Sequence, residues 1–417
     1  MTRPRQRLIA LRVMAATLAA LCGLAVAEWV ARAAYGPGFL SVVDPYEHHP
    51  YRAYAEFADT SGQKVFTNSL GWKDGQPRRQ VERDPAPRRR VVFLGDSFTE
   101  GLGVPQEQTF SADVERRLNR RGARFEVLNG GRVSYSPLLE YMRLKRFLAT
   151  GYRADTVVLL PDLSDVQDEL EYAPEFEFSA GGEPLHLRSG NSAPAVRWIY
   201  NRSALARWAR RLQLRLQGRL PSVAETAHAE RGLALQPVDA ALLKAPGPLT
   251  AKAYSHLSDP AKALLRHIWS DHLPSVKGWA GDGLSSMEKN ILRIRELARR
   301  NGMELIVVIY PYPQVLYTRE GPAYYRVLQQ TFPKWFRQRE LVFGTSPSSG
   351  AAVYRQALRE LCRANSIPFV DLFPAFQRRD WHRLFLPGDV HFGAAGHGVA
   401  GREIADAILR ELGKARP

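Results

Sequence analysis

The sequence predicts an α/β fold: a three-layer, doubly wound parallel sheet with a mainly helical insertion and an N-terminal membrane segment. Three observations carry this prediction. Five short apolar runs are β-branched-rich and unbroken rather than alternating, as in strands buried on both faces. Helical patterns separate these runs, and that rhythm implies a parallel sheet with helices on both sides. A basic leader followed by an uninterrupted apolar stretch opens the chain.

The leader comes first. MTRPRQRLIALR is basic, and Val13 to Ala27 is apolar over about the length of a signal-peptide core. Ala25 and Ala27 fit a small-x-small cleavage pattern, while Trp29, Val30 and Ala31 resume the apolar character after Glu28 and complete a short spanning helix. Residues 1–35 therefore read either as an uncleaved anchor or as a signal peptide cut after Ala27. Basic residues before the segment place its N-terminus in the cytoplasm, so both readings deliver the remaining chain to the periplasm or exterior. Leu21 is too bulky to precede a lipidated cysteine, which sets aside a lipoprotein role for Cys22.

The strands follow at Arg90–Gly95, Phe125–Asn129, Thr156–Pro161, Glu304–Tyr310 and Pro368–Phe373. Between them, Phe110, Val114 and Leu118 share one helical face before a stop at Gly122. Met287, Ile291, Ile294 and Leu297 share another, ending at Asn301-Gly302. One segment, about residues 174–283, breaks the rhythm, showing no clear strand and several prolines and glycines. Its middle, RWIYNRSALARWARRLQLRLQGRL, holds arginines 197, 202, 207, 210, 211, 215 and 219 without an acid. Trp198, Leu205, Trp208, Leu212 and Leu216 form an apolar stripe there. Either the stripe packs on the domain and the arginines face water, or a basic amphipathic helix lies on anionic lipid or acidic glycan. The insertion falls between the third and fourth strands, where loops can roof a site at the strand C-termini, and reads as a lid or substrate-binding subdomain.

Composition narrows the function classes. A hydrophobic share of 45% and an aromatic share of 10% suit a globular chain and exclude wholesale disorder. The net charge of +16 fits an anionic membrane face, acidic glycans or an arginine-rich coding bias. No helix-turn-helix, RNP or zinc-finger pattern is present, so nucleic acid is not an expected partner. Cys22 and Cys362 allow no plausible disulfide and no metal-ligand spacing; neither metal nor cofactor is expected.

The chemistry begins at RVVFLGDSFTEGLGV, Arg90 to Val104. Ser97 stands just after the first core strand, where ligands bind in doubly wound sheets, and at a helix start whose free amides favour an anion. Alone, the stretch reads more simply as an ordinary strand-to-helix cap by Asp96 or Ser97. The other end of the chain, FLPGDVHFGAAGHGVAGREIADAIL, supplies Asp389 and His391 as a D-x-H pair before a helix patterned by Val399, Ile404 and Ile408. A serine hydroxyl needs a base to become a nucleophile, and a histidine base needs a carboxylate to fix its tautomer. Asp380 and His382 form a second D-x-H, but no small-residue run into a helix follows it.

With these residues in view, the chain resembles the SGNH/GDSL hydrolase superfamily, in a bacterial, membrane-anchored, exported branch. GDSFTEG and DVHFGAAGH resemble its first and last blocks, and EVLNGGRVSYSP resembles its second. TNSLGWKDGQ and YPYPQ add to the likeness, which covers most of residues 60–172 and 286–412. The resemblance implies a flavodoxin-like domain over residues 36–417, with Ser97 as nucleophile, His391 as base and Asp389 as its orienting acid. It also implies an oxyanion hole from the Ser97 and Gly131 amides. In the third block the family offers an asparagine side chain; the matching stretch LLPDLSDVQDE places Ser164 there, a shorter donor. Loss of one oxyanion donor costs about 3 kcal/mol of transition-state stabilisation, so Ser164 or another group must serve if turnover is fast. Asp162, Asp165, Asp168 and Glu169 read as a solvated acidic helix start or, less simply, as a metal site. The functions implied are a serine esterase removing acyl groups, chiefly acetyl, from an envelope or exported glycan, or an O-acyltransferase using the same triad. A degenerate glycan-binding or scaffold protein is the third.

Overall fold

The computed structural model describes residues 3–35, 42, 44–59, 62–120, 124–188, 194–216, 282–316, 350–380, 383–386 and 390–414. Its strands are β1 (Glu56–Ala58), β2 (Lys64–Thr67), β3 (Lys73–Asp74), β4 (Arg89–Gly95), β5 (Phe125–Asn129), β6 (Thr156–Leu160), β7 (Phe176–Phe178), β8 (Pro184–Leu187), β9 (Glu304–Ile309) and β10 (Phe369–Asp371). Its helices are α1 (Arg3–Tyr35), α2 (Ser97–Glu100), α3 (Phe110–Asn119), α4 (Pro137–Ala149), α5 (Asp165–Tyr172), α6 (Pro194–Arg202), α7 (Ala204–Leu216), α8 (Asp282–Arg300), α9 (Pro313–Leu316), α10 (Gly350–Ala364), α11 (Phe373–Gln377) and α12 (Ala394–Lys414).

The five expected strands form the parallel core in the order β5-β4-β6-β9-β10. The first strand is therefore central, with its successor on one side and the later three on the other, which is the doubly wound arrangement. Val91, Val92, Phe93 and Leu94 of β4 are all buried, as are Val157 to Leu160 of β6 and Ile306 to Ile309 of β9. Helices α3 and α12 pack together on one side, α4, α5 and α8 on the other. Gly401 of α12 lies so near Asp113 of α3 that a methyl group would sit 2.6 Å from its Oδ2. Between β4 and β5, buried Arg90 pairs with Glu126 at 2.7 Å and donates to the carbonyls of Glu82 and Arg153, so its charge is fully engaged.

The structure amends the sequence reading in four places. The sheet is mixed rather than purely parallel, because β1, β2 and β3 extend its edge in antiparallel pairings that reach β5. The 174–283 stretch contains a hairpin, β7 with β8; three- and four-residue strands are too short to leave a periodic signal. The basic stripe is two helices, α6 and α7, parted at Ser203, and the indoles of Trp198 and Trp208 face outward rather than onto the domain. Cys362 is buried in the core although its helix looks polar in sequence. The rest of the insertion lies outside the described residues, and so does its reading as a lid.

Candidate active site

Every residue expected to act, where described and apart from His391, follows the C-terminal end of a core strand. Strand β4 leads to Asp96 and Ser97, β5 to the 130–136 loop, β6 to Asp162 and Ser164, and β9 to Tyr310 and Tyr312. Asp96 caps α2, its Oδ1 accepting the Phe98 amide at 2.9 Å, and this cap sets the serine at the first helical position. The Ser97 amide has no partner among the described residues, and Ser97 itself is 8% exposed.

His391 reaches the serine from the far end of the chain. Its loop is pinned by an antiparallel bridge of Phe385 with Phe392, and by amides of Leu386 and Gly393 bonding the carbonyls of His391 and Leu384, both at 2.9 Å. The Phe98 ring lies against the imidazole, centroids 4.8 Å apart. His391 Nε2 then stands 2.7 Å from Ser97 Oγ across 294 residues of sequence. That distance suits transfer of the hydroxyl proton to a neutral imidazole. Asp389 and the competing His382 lie outside the described residues.

The serine hydroxyl has a second acceptor, Asp96 Oδ2, at 3.2 Å. An ionised Asp96 would hold the proton away from His391. Burial, and then the neighbouring Asp162 carboxyl with which it is hydrogen-bonded, push Asp96 well above the usual carboxylate range. A neutral Asp96 competes weakly for the serine's proton. Tyr310 donates to Asp96 Oδ1 at 3.1 Å and Tyr312 to Asp162 Oδ2 at 2.7 Å, so the YPYPQ stretch forms the back wall.

The acidic stretch after β6 is neither a solvated helix start nor, among the described residues, a group arranged to hold a metal ion. Asp162, Asp165 and Glu169 are buried, and Glu140 of α4 is buried beside them. Asp165 Oδ2 accepts the Asp162 amide at 2.7 Å, and Glu169 accepts from Asn290, Ser286 and the Leu138 amide, each at 2.7 Å. Burial first, then like charge, raises Asp165 and Glu140 well above the ordinary range. Asp168, nearer the surface, is pushed up to about 8 by burial and by Asp162.

The oxyanion donors are arranged differently from the expectation. The Gly131 amide donates to Asn129 Oδ1 at 3.1 Å. Gly131 itself is wedged against α2, where a methyl group would lie 2.5 Å from the Thr99 carbonyl carbon. Ser164 lies beside the Tyr312 phenol and tempers the rise that burial and Asp162 impose on it. In the same 130–136 loop, Ser134 holds a left-handed backbone (φ 56), and its amide has no partner among the described residues. The loop is clamped at Val133, whose amide donates to Glu100 Oε2 at 2.9 Å and whose carbonyl meets His49 Nε2 at 2.8 Å. Burial and Arg132 depress His49 well below its usual range, so the neutral ring donates through Nε2. Neither Ser134 nor the paired Asp96 and Asp162 stood out in the sequence: a positive φ at serine has no one-letter signature, and residues 66 positions apart meet only once β4 and β6 pair.

No protein-family model and no curated protein matches the chain. Solved structures do. A lipase/acylhydrolase from Enterococcus faecalis matches at 12% identity with a TM-score of 0.38, covering 78% of this chain and 96% of its own. A GDSL-like lipase from Bacteroides thetaiotaomicron matches at 12% and 0.35, covering 79% and 93%. An acetyl xylan esterase matches at 12% and 0.37, covering 78% and 99%. The similarity is to GDSL-type and related ester hydrolases.

Proposed function

We propose that the chain is a membrane-anchored serine esterase of the SGNH/GDSL type. It would remove acyl groups, acetyl above all, from an envelope or exported polysaccharide through an acyl-enzyme. The observation that carries this reading is the 2.7 Å approach of His391 Nε2 to Ser97 Oγ at the C-terminal edge of the sheet.

In this mechanism His391 takes the Ser97 proton as Oγ attacks the ester carbonyl, and returns it to the departing sugar oxygen. Water then repeats the sequence on the acyl-serine, with His391 again as base. Asp389 holds the imidazole in the tautomer that leaves Nε2 free. The Ser97 amide is one oxyanion donor. The second comes from the 130–136 loop or from Ser164; the Gly131 amide would first have to leave Asn129, whereas the Ser134 amide has no partner among the described residues. The 24-residue stretch Leu11–Ala34 within α1, long and apolar enough to cross a membrane and exposed except at Ala27, Glu28 and Ala31, supports the anchor.

Labelling with a fluorophosphonate probe tests the reading. The wild-type chain should be labelled and release acetate from an acetylated polysaccharide, while Ser97→Ala should do neither. A Ser97→Ala chain that is still labelled would remove the serine from the mechanism.

A further inference from the structure

Helices α6 and α7 stand against the outer end of α1. The Glu28 carboxylate of α1 accepts the amides of Ala204 (2.9 Å) and Leu205 (3.0 Å) and the Ser203 hydroxyl (2.8 Å), so it caps α7 from a neighbouring helix. Arg32 pairs with Glu28 at 2.7 Å and donates to the Arg202 carbonyl at 2.5 Å. Ala31 and Ala204 are buried together beneath Leu205. The one carboxylate of α1 is thus fully engaged at the place where the apolar run ends.

Large apolar side chains of α6 and α7 remain uncovered, and Trp198 and Ile199 line a cleft with Leu24, Ala25 and Glu28 of α1. Trp198 is 57% and Trp208 51% exposed, with Ile199 and Leu212 beside them, and Trp29 of α1 is 70% exposed. Val13–Ala27 spans roughly 22 Å as a helix, which brings Trp29 and the docked helices to one edge of the hydrocarbon layer. Tryptophan concentrates at that depth. Residues 194–216 carry six arginines and no acid, and Arg202 sits 4.7 Å over the Trp198 ring.

We infer that α6 and α7 lie in the headgroup layer of the membrane that α1 enters, with Trp198 and Trp208 at the acyl boundary and the exposed Arg202 and Arg210 on anionic phospholipid, while buried Arg207 holds Tyr200 and Asn201. The inference rests on α1 being an uncleaved anchor. Two features select a bilayer as occupant: the helices are joined to the one element able to cross it, and their charge complements anionic headgroups.

Spin labels on the full-length chain in nanodiscs test this. Cys22→Ala removes the exposed thiol; Cys362 is buried, its thiol pushed up to about 12, and can stay. Labels replace Trp198, Trp208, Leu18 of α1 or the exposed Arg359. In discs with about 30% phosphatidylglycerol, labels at 198 and 208 should be roughly tenfold less accessible to a water-soluble nickel relaxant than the label at 359. Equal accessibility at 198, 208 and 359, with 18 shielded, overturns the inference and leaves the anchor standing. A water-exposed label at 18 overturns the anchor and the inference with it. In neutral phosphatidylcholine discs accessibility at 208 should rise severalfold; no rise overturns the assignment to anionic lipid. Equal shielding by a soluble acidic polysaccharide would give the face to glycan instead, and overturn it too.

Discussion

Replacing Gly131 by alanine tests whether the loop after β5 holds the nucleophile's helix in place. The new methyl carbon would stand 2.5 Å from the Thr99 carbonyl carbon and 2.8 Å from Thr99 Cβ, and nearer still to the Glu100 amide. Real Cβ contacts stay beyond 3.0 Å, and two of these neighbours are backbone atoms that cannot rotate aside. The loop or α2 must therefore move by about half an ångström or more, an overpacking that costs about 1–3 kcal/mol. Ser97 opens α2, so its 2.7 Å contact with His391 lengthens. Misplacement by 1 Å costs about 100-fold in rate, so about tenfold is expected here. Urea unfolding and p-nitrophenyl acetate turnover measure the two effects. Gly181→Ala, whose nearest contact would be an ordinary 3.8 Å, is the control and should leave both unchanged. A Gly131→Ala chain with the wild-type unfolding midpoint and kcat would refute the reasoning.

His391→Ala should abolish ester hydrolysis without lowering Tm, and the double variant with Ser97→Ala should lose little more, because the groups act as a unit. Ser164→Ala should lower kcat by roughly tenfold at unchanged KM if its hydroxyl turns from Tyr312 to the oxyanion; an unaltered kcat removes it from the mechanism. Asp162→Asn relieves Asp96 of its like-charged neighbour, so Asp96 ionises more readily and retains the serine proton; the deficit in kcat should widen as pH rises. Asp168 binds its proton more tightly folded than unfolded, from the ordinary 3.8 up to about 8, so it lowers stability as pH climbs through that window. Asp168→Asn should accordingly raise Tm more at pH 9 than at pH 4, and an equal change at both would exclude the carboxyl as the cause.

The core strands were legible because burial on both faces leaves an unbroken apolar run; β5 was bounded to the residue. The edge strands were not, since Lys73 and Asp74 are charged yet buried, held by the carbonyls of Gly101 and Val104 and by Asn68 and Arg79. Ser97 and His391 were legible through their motifs and their places beside strand and helix. The carboxyl pair behind the serine was hidden because burial reverses the usual reading of an acidic run. The stripe of α6 and α7 shows a different limit: periodicity tells which side chains share a face, not what covers that face.

The nest of carboxyls around Asp96 and Glu140 also bears on how the chain matures. Burial raises these carboxyls above their ordinary range in the folded chain, so folding takes up protons as pH falls through that raised range. For a chain that is threaded through a membrane and folds on the far side, as proposed here, the supply comes from a compartment whose acidity follows the surroundings of the cell. The folded state would then be favoured more in mildly acidic media than in alkaline ones, whatever the pH preference of the finished enzyme.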